Sequence, residues 1–249
     1  MKVLKFKLYG KTAFFKKPDV NEVVYYTYGH PHRLIIMGII GSVIGLSGYN
    51  KQYMEKTKHP EFYEKLQNIK ISVVPPRKSK GYFNKKIQVF NNSVGYASKE
   101  KGRNLIVQEQ WLEDPSWKIY LDLSDIEKDI GEKIYDYFLN QKAEYMPYLG
   151  KNDHPANISD VEILEISKTD KLCVIDSLIE NSNIKILNVK GDIFKSTEIP
   201  YVYKDYMPYG LDEDIMYLFK QYIYTNRQIQ VLDNKIDIWT DKKKNIVFI

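Results

Sequence analysis

At 249 residues and 43% hydrophobic content, the chain can form one large domain or two small ones around a real core. A single cysteine, Cys173, excludes an intramolecular disulfide and any cysteine-cluster zinc site. The apolar run at 34–46 falls short of the roughly 20 residues a bilayer needs. A basic strand-like segment precedes that run, not a signal peptide, so a cytoplasmic protein with no membrane contact is expected.

The net charge of +5 conceals a partition. Residues 1–18 hold six lysines and no acid, and residues 75–110 hold eight Lys/Arg against Glu100 and Glu109. These two segments sum to +12, so the rest of the chain carries −7. Segregation of this kind is the footprint of a polyanionic partner, phosphates being the commonest. Twenty-one tyrosines, many beside lysines, suit base stacking next to phosphate contacts.

In chain order, KVLKFKLYG turns Leu4, Phe6 and Leu8 one way and Lys5 and Lys7 the other, a half-buried strand with a basic outer face. A polar loop to His32 leads into a helix expected to run to about Gly48. Gly38, Gly41 and Gly45 share one face of it, where bare backbone can lie close against a sheet or another chain. Glycine in a helix costs about 0.5–1 kcal/mol, so close approach should compensate.

Residues 50–68 read as a polar helical stretch interrupted at Pro60, and 69–74 as a strand ended by Pro75-Pro76. Residues 77–110 alternate short strand-like runs (87–90, 105–108) with turn residues, predicting a β-hairpin arm. The arm is basic and has little to bury, so it should order against a partner. Residues 117–123 form a further strand. Ser124-Asp125-Ile126-Glu127 reads as a capping box for a helix to about Asn140, with Ile126, Ile130, Ile134 and Phe138 on its buried face. A turn-rich loop around Tyr148-Leu149-Gly150-Lys151 and a strand at 158–166 follow. The order β-α-β-(arm)-β-α-β is the ferredoxin-like βαββαβ arrangement, RRM-like, in an α+β chain. Beyond it the pattern predicts strands at 172–175 and 184–189, a helix at 212–224, and a hairpin 228–232/235–239 turning at Asp233-Asn234. The expected division is a body at 1–167 and a small β-rich subdomain at 168–249, with no internal repeat.

Two stretches carry a family resemblance. G-K-T-A-F-F-K-K-P at 10–18, then Tyr28 and Pro31, then Leu34-x-x-x-Gly38-x-x-Gly41-x-x-x-Gly45, resembles the N-terminal signature of CRISPR-associated family five. That family supplies the RAMP subunit of type I Cascade complexes. P-Y-L-G-K at 147–151 with Pro155-Ala156 resembles a second family element, and the lysine- and tyrosine-rich style looks closest to the type I-B branch. Together the motifs span about a fifth of the chain; 170–249 matches no known pattern.

The resemblance implies a RAMP ferredoxin-like body with a thumb. It also implies a partner set: the 5′ handle of crRNA, a backbone RAMP subunit and the large subunit, with room for contact with target DNA near the PAM end. No motif in the sequence supports a cofactor or a metal site. Single-stranded RNA is held by cations on phosphates and aromatics under splayed bases. The candidate RNA-binding residues are Lys11, Phe14, Lys16, Lys17, Tyr28, His30 and Arg33, the arm cations Arg77, Lys78, Lys85, Lys86, Lys99, Lys101 and Arg103, and Lys151 of the second motif. Gly38, Gly41 and Gly45 are the candidate close-packing positions.

In the type I-C branch the corresponding subunit cleaves pre-crRNA with a tyrosine, a lysine and a histidine, without metal. Here Lys58-His59 with Tyr49 or Tyr53 is the nearest such set. His59 precedes Pro60 in a polar stretch, however, and reads better as a surface residue. His30 and His32 flank a proline as loop residues, and His154-Pro155 reads as a turn. The expectation is a non-catalytic crRNA-capping subunit. The alternatives are an endoribonuclease of the same family and a stand-alone RNA- or DNA-binding module.

Overall fold

The structure, a computed structural model, describes residues 1–18, 23–95, 99, 101, 104–170, 172–187, 199–232 and 236–249. The first strand, β1 (Lys2–Tyr9), buries Leu4, Phe6 and Leu8 as the alternation requires. Its other face is not an open basic surface. Lys5 pairs with Glu162 at 2.6 Å, and Val3 sits in a second apolar cluster with Tyr120, Ile166 and Ile246. After β2 (Thr12–Ala13) comes the buried helix α1 (Arg33–Ile44), which stops earlier than the sequence pattern suggests. Gly45 adopts a left-handed conformation, φ +80°, and its N–H bonds back to the Gly41 carbonyl, closing the helix as a C-cap.

The three glycines therefore do different things. A Cβ at Gly41 would lie 2.8 Å from the Phe62 Cβ, so this glycine does permit close packing, against the chain's own next helices. Gly45 lies outside the helix, and a Cβ at Gly38 would meet nothing within 4 Å. Of the three expected close-packing positions, Gly41 and Gly45, whose Cβ would lie 2.8 Å from the Glu144 Cγ, are closely approached, and Gly38 is not. Gly41→Leu should destabilise the protein by about 1–3 kcal/mol through overpacking. A denaturant titration with an unchanged midpoint would contradict that.

Pro60 divides the next stretch into α2 (Tyr49–Glu55) and α3 (Glu61–Leu66), followed by β3 (Lys70–Val74). β4 (Lys85–Asn91) and β5 (Ile106–Glu113) pair antiparallel, forming the hairpin expected within 77–110 but reaching slightly further. β6 (Ser116–Asp122), α4 (Lys128–Leu139) and β7 (Asn157–Glu165) complete the body. Its sheet is fully antiparallel in the order β3-β6-β1-β7, the ferredoxin-like order, with Leu4 opposite Leu121 and Val73 opposite Ile119. Helices α1 and α4 join Leu4, Phe6, Leu8, Ile71 and Ile119 in the main core.

The capping box does not form. Asp122 Oδ1 takes the Ser124 N–H, and Glu127 occupies the N-cap position without a side-chain bond. The helix begins at Lys128, because an Asx turn closing β6 competes successfully for the Ser124 backbone.

The remaining strands are β8 (Ser167–Lys168), β9 (Leu172–Val174), β10 (Ile179–Glu180), β11 (Ile184–Ile186), β12 (Val202–Leu211), β13 (Tyr217–Thr225), β14 (Gln228–Val231), β15 (Trp239–Thr240) and β16 (Asn245–Ile246). They form three small sheets, ordered β10-β13-β12, β11-β14-β9 and β16-β15-β8. Two expectations fail here. Residues 217–225 are a strand, not a helix. Asp212 Oδ1 accepts from the Asp214 and Met216 N–H groups, making a turn, and aromatic and β-branched residues then pair with β12. Among the described residues, 228–232 and 236–239 do not pair as the expected hairpin either. β14 is flanked by β9 and β11, whereas β15 pairs with β8 and β16. The expected turn at 233–234 and the end of the strand expected at 184–189 lie outside the described residues.

The β12–β13 ribbon packs on α1 through Tyr203, Met207, Leu211 and Tyr222, while β16 covers the far face of the main sheet. No single helix among the described residues is long and apolar enough to cross a membrane.

Candidate nucleic-acid interface

Residues 12–14 and 149–154 of the two motif stretches, more than 130 positions apart in sequence, meet at one place. The Phe14 N–H donates to the Leu149 carbonyl at 3.0 Å, and Thr12 Oγ1 lies 2.7 Å from His154 Nδ1. Gly150 has φ +93°, and a Cβ there would collide with the Phe14 carbonyl. The loop 147–156 closes on itself through Leu149 N–H to the His154 carbonyl at 2.7 Å. Gly150→Ala combines a left-handed conformation with a backbone collision and should cost about 3 kcal/mol. That corresponds to a fall of roughly 6–12 °C in melting temperature for a chain of this size. A melt unchanged within 2 °C would show instead that the loop gives way freely.

On this clamp stands the root of the β4–β5 hairpin. One face of the ribbon presents Lys86, Gln88 and Phe90 opposite Trp111, Glu109 and Val107. The Trp111 ring meets His154 edge-on at 4.6 Å, and its Nε1–H donates to Glu109 Oε2 at 2.9 Å. The Lys151 ammonium lies 3.2 Å from Glu109, 3.1 Å from Asp153 and 5.0 Å from the centre of the Phe90 ring. Desolvation opposes its charge, but the bonds to Asp153 and Glu109 win and raise its pKa. The buried Glu109 carboxylate is thus satisfied from two sides. The opposite face of the hairpin is open, with Lys85, Ile87, Val89 and Ile106 exposed.

A second ribbon runs beside β5. Lys17 N–H donates to the Tyr26 carbonyl and Tyr28 N–H to the Phe15 carbonyl, while Tyr25 bonds to Gln108 and Gln110 of β5. Exposure along this ribbon falls toward residue 28, where it enters the core, and that decides which aromatics reach solvent. Tyr26 is 48% exposed, whereas Tyr28 is 2% exposed. The exposed Lys16 holds its ammonium 3.9 Å from the centre of the Tyr25 ring, a cation–π pair beside the hairpin.

The predicted site residues accordingly divide. Lys11, Lys16, Arg77, Lys78, Lys85, Lys99 and Lys101 are exposed and Lys86 is half-buried, all on the hairpin, its approach or the adjoining ribbon. Arg103 lies outside the described residues. Five candidates are drawn inward. Phe14 is 3% exposed and packs near the His154 ring. Tyr28 meets His32 edge-on. His30 is completely buried, accepts from Trp117 Nε1–H at 2.9 Å, and is enclosed by Phe83, Trp117 and Tyr203; burial pushes its pKa down to about 3. Arg33 donates to the carbonyls of Gln67, Ile69 and Ile249, tying α1 to β3 and the C-terminal residue. Lys17 pairs with Asp205 at 3.0 Å, and Tyr203 donates to the other oxygen of that carboxylate. These side chains face inward because the second ribbon and residues 29–33 after it pack into the core.

Each side chain of the alternative catalytic set already has a partner. Lys58 pairs with Glu213, His59 Nε2 sits 2.9 Å from the Asp212 carbonyl, and Tyr49 meets Phe62, each turned to a different neighbour. Burial raises the Tyr49 pKa to about 12, which disfavours it as a base. Among the described residues, no three His, Cys, Asp or Glu side chains gather into a metal-binding group.

Sequence reasoning missed Tyr26, Tyr82 and Tyr206, which are 48%, 59% and 62% exposed around this surface. No local pattern separates Tyr26 from Tyr28, which has the same parity and is buried. Tyr206 lies in β12, whose place beside Lys17 no local pattern announces.

No family model matches the sequence, and no curated protein matches it. Solved structures do. A CRISPR protein from Archaeoglobus fulgidus superposes with a TM-score of 0.53 at 10% identity, covering 100% of this chain and 99% of that one. A chain of a CRISPR RNA-guided surveillance complex gives 0.50 at 12% identity, covering 92% and 91%. The chain has the fold of CRISPR-associated proteins. At these identities the likeness is one of fold, and it extends across the chain, including the C-terminal sheets beyond the ferredoxin-like body.

Proposed function

We propose that the chain is a non-catalytic subunit of a type I CRISPR effector complex, that it binds and caps the 5′ handle of crRNA, and that it docks the backbone and large subunits. The observation that carries this reading is the basic hairpin rooted on the junction of the two motif stretches. Seven exposed cations stand on or beside it, with Lys16 on Tyr25 and an exposed Tyr26 alongside. This is the combination single-stranded RNA requires, charge for phosphates and rings for bases. The fold shared with a chain of an RNA-guided surveillance complex supports the same reading.

The non-catalytic part rests on the engagement of Lys58 by Glu213 and of His59 by the Asp212 carbonyl, and on the burial of His30 and His32. The test is to co-express the tagged chain with its genomic neighbours and a CRISPR array, then analyse the captured proteins and RNA. Capture of protein subunits with RNAs sharing one repeat-derived 5′ end is expected, as is intact pre-crRNA after incubation with the chain alone in EDTA. Capture of no RNA would overturn the binding role, and cleavage would overturn the non-catalytic one.

A further inference from the structure

Along the outward side of α1 runs a groove of about 650 Å³, a size suited to a small organic group. His32, Gly38, Tyr49, Met146, Tyr148 and Tyr217 are among its lining residues, and the lining contains no lysine, arginine, aspartate or glutamate. A phosphate has no counter-charge there. Planar uncharged groups do have partners, since Tyr49, Tyr148 and Tyr217 keep 36–47% of their surface exposed. His32 is 4% exposed, and its Nδ1 has no hydrogen-bond partner among the described residues. That atom is sealed from solvent and offers the groove no hydrogen bond; the ring instead meets Tyr217 edge-on at 5.9 Å, fixing that wall of the groove.

The groove also adjoins the basic hairpin. Tyr148 and Gly150 line it, and the next residue, Lys151, spans to Glu109 and Phe90 on the hairpin. A strand whose phosphates follow the hairpin cations reaches the groove within one loop. Gly38 opens the floor, since nothing stands within 4 Å of where its Cβ would be.

We infer that this groove holds one splayed nucleobase of the bound RNA strand, stacked on the tyrosines. The inference rests on the RNA-binding reading above and adds to it a site separate from the phosphate-binding hairpin. The uncharged lining favours a base over the phosphate. Continuity with the hairpin favours RNA over an apolar protein segment.

The test uses the full chain and the RNA recovered with it, resynthesised with an abasic site, or with 2-aminopurine, at each position in turn. One abasic position should weaken binding by about tenfold or more, and 2-aminopurine at that position should be quenched on binding. Gly38→Leu fills the groove without a clash and with better helix propensity, so its melt should hold. It should bind unmodified RNA about tenfold more weakly, lose the sensitivity to that abasic site, and keep the salt slope of the parent. Wild-type binding by Gly38→Leu with the sensitive position retained would overturn the inference. So would unchanged RNA binding by Gly38→Leu with loss of assembly with protein subunits, which would give the groove to a protein partner. No quenching at any position in the parent would overturn it independently of any variant. RNA binding with a normal salt slope leaves the functional reading standing in each of these cases; absence of all RNA binding by the parent brings down both.

Discussion

Changing Lys85, Lys86, Lys99 and Lys101 together to alanine is expected to abolish RNA capture while leaving the fold intact. Lys85, Lys99 and Lys101 are exposed, and half-buried Lys86 lies 5.7 Å from the Trp111 ring and 3.9 Å from Glu113, so none belongs to the apolar core. Surface changes of this kind shift stability by a few tenths of a kcal/mol each. Binding is another matter. Each phosphate contact on a single strand contributes about 0.7 to the slope of log affinity against log salt, so four lost contacts should flatten that slope by about 2.8. Lys85 has the further property that partial desolvation lowers its pKa, opposed by Asp205 and reinforced by Lys17. A phosphate arriving there relieves the repulsion from Lys17. A thermal melt beside filter binding at several salt concentrations decides the matter. A normal melt with an unchanged slope would return the hairpin to the status of a solvated arm, and loss of soluble protein would show that it belongs to the core.

The second large effect is acid sensitivity. His30 and His32 are buried and neutral, and burial lowers both pKa values from 6.5 to about 3. In the unfolded chain each takes a proton near pH 6.5, and in the folded chain neither does until about pH 3. The unfolded state therefore binds more protons throughout that window, and stability falls as pH falls through it. At pH 5 the loss relative to neutral pH is roughly 2 kcal/mol per histidine, roughly 4 for the pair. The lowered pKa of His154 acts in the same direction. Urea titrations at pH 7.5 and 5 measure this. A stability that is flat between them would mean these imidazoles are hydrated in solution. RNA affinity, measured where the protein remains folded, should not strengthen through pH 6.5 from these residues, as it would if His30 were a phosphate contact.

The first elements of the body were readable because β1 alternates cleanly and Pro31 and Gly45 bound α1. Leu4, Phe6 and Leu8 dictate a face by themselves. The hairpin was readable from turn residues between short strand-like runs. What failed was decided at long range. Residues 217–225 look helical in isolation, but β12 and β10 offer their edges on either side, and pairing overrides propensity. The capping box lost to Asp122, which already held the Ser124 N–H.

The candidate site was half legible for a similar reason. Charge is a property of residue type, so the exposed cations of the hairpin were found by counting. Burial is not, and cations and rings at 14–33 were read as surface although the second ribbon and residues 29–33 after it pack into the core. Arg33 is the clearest case, a guanidinium committed to three backbone carbonyls. The meeting of 10–14 with 147–156 was invisible in sequence, because the hydrogen bond between Phe14 and Leu149 and the contact at Gly150 exist only once β1 and β7 have paired.

The most direct test of the central claim is a hydroxyl-radical footprint of crRNA in the complex reconstituted with and without this chain. The account predicts protection of the repeat-derived 5′ handle only when the chain is present, lost with the four-lysine variant and retained with an exposed-lysine control such as Lys128→Ala. Protection confined to the spacer, or a handle protected equally well without the chain, would contradict it.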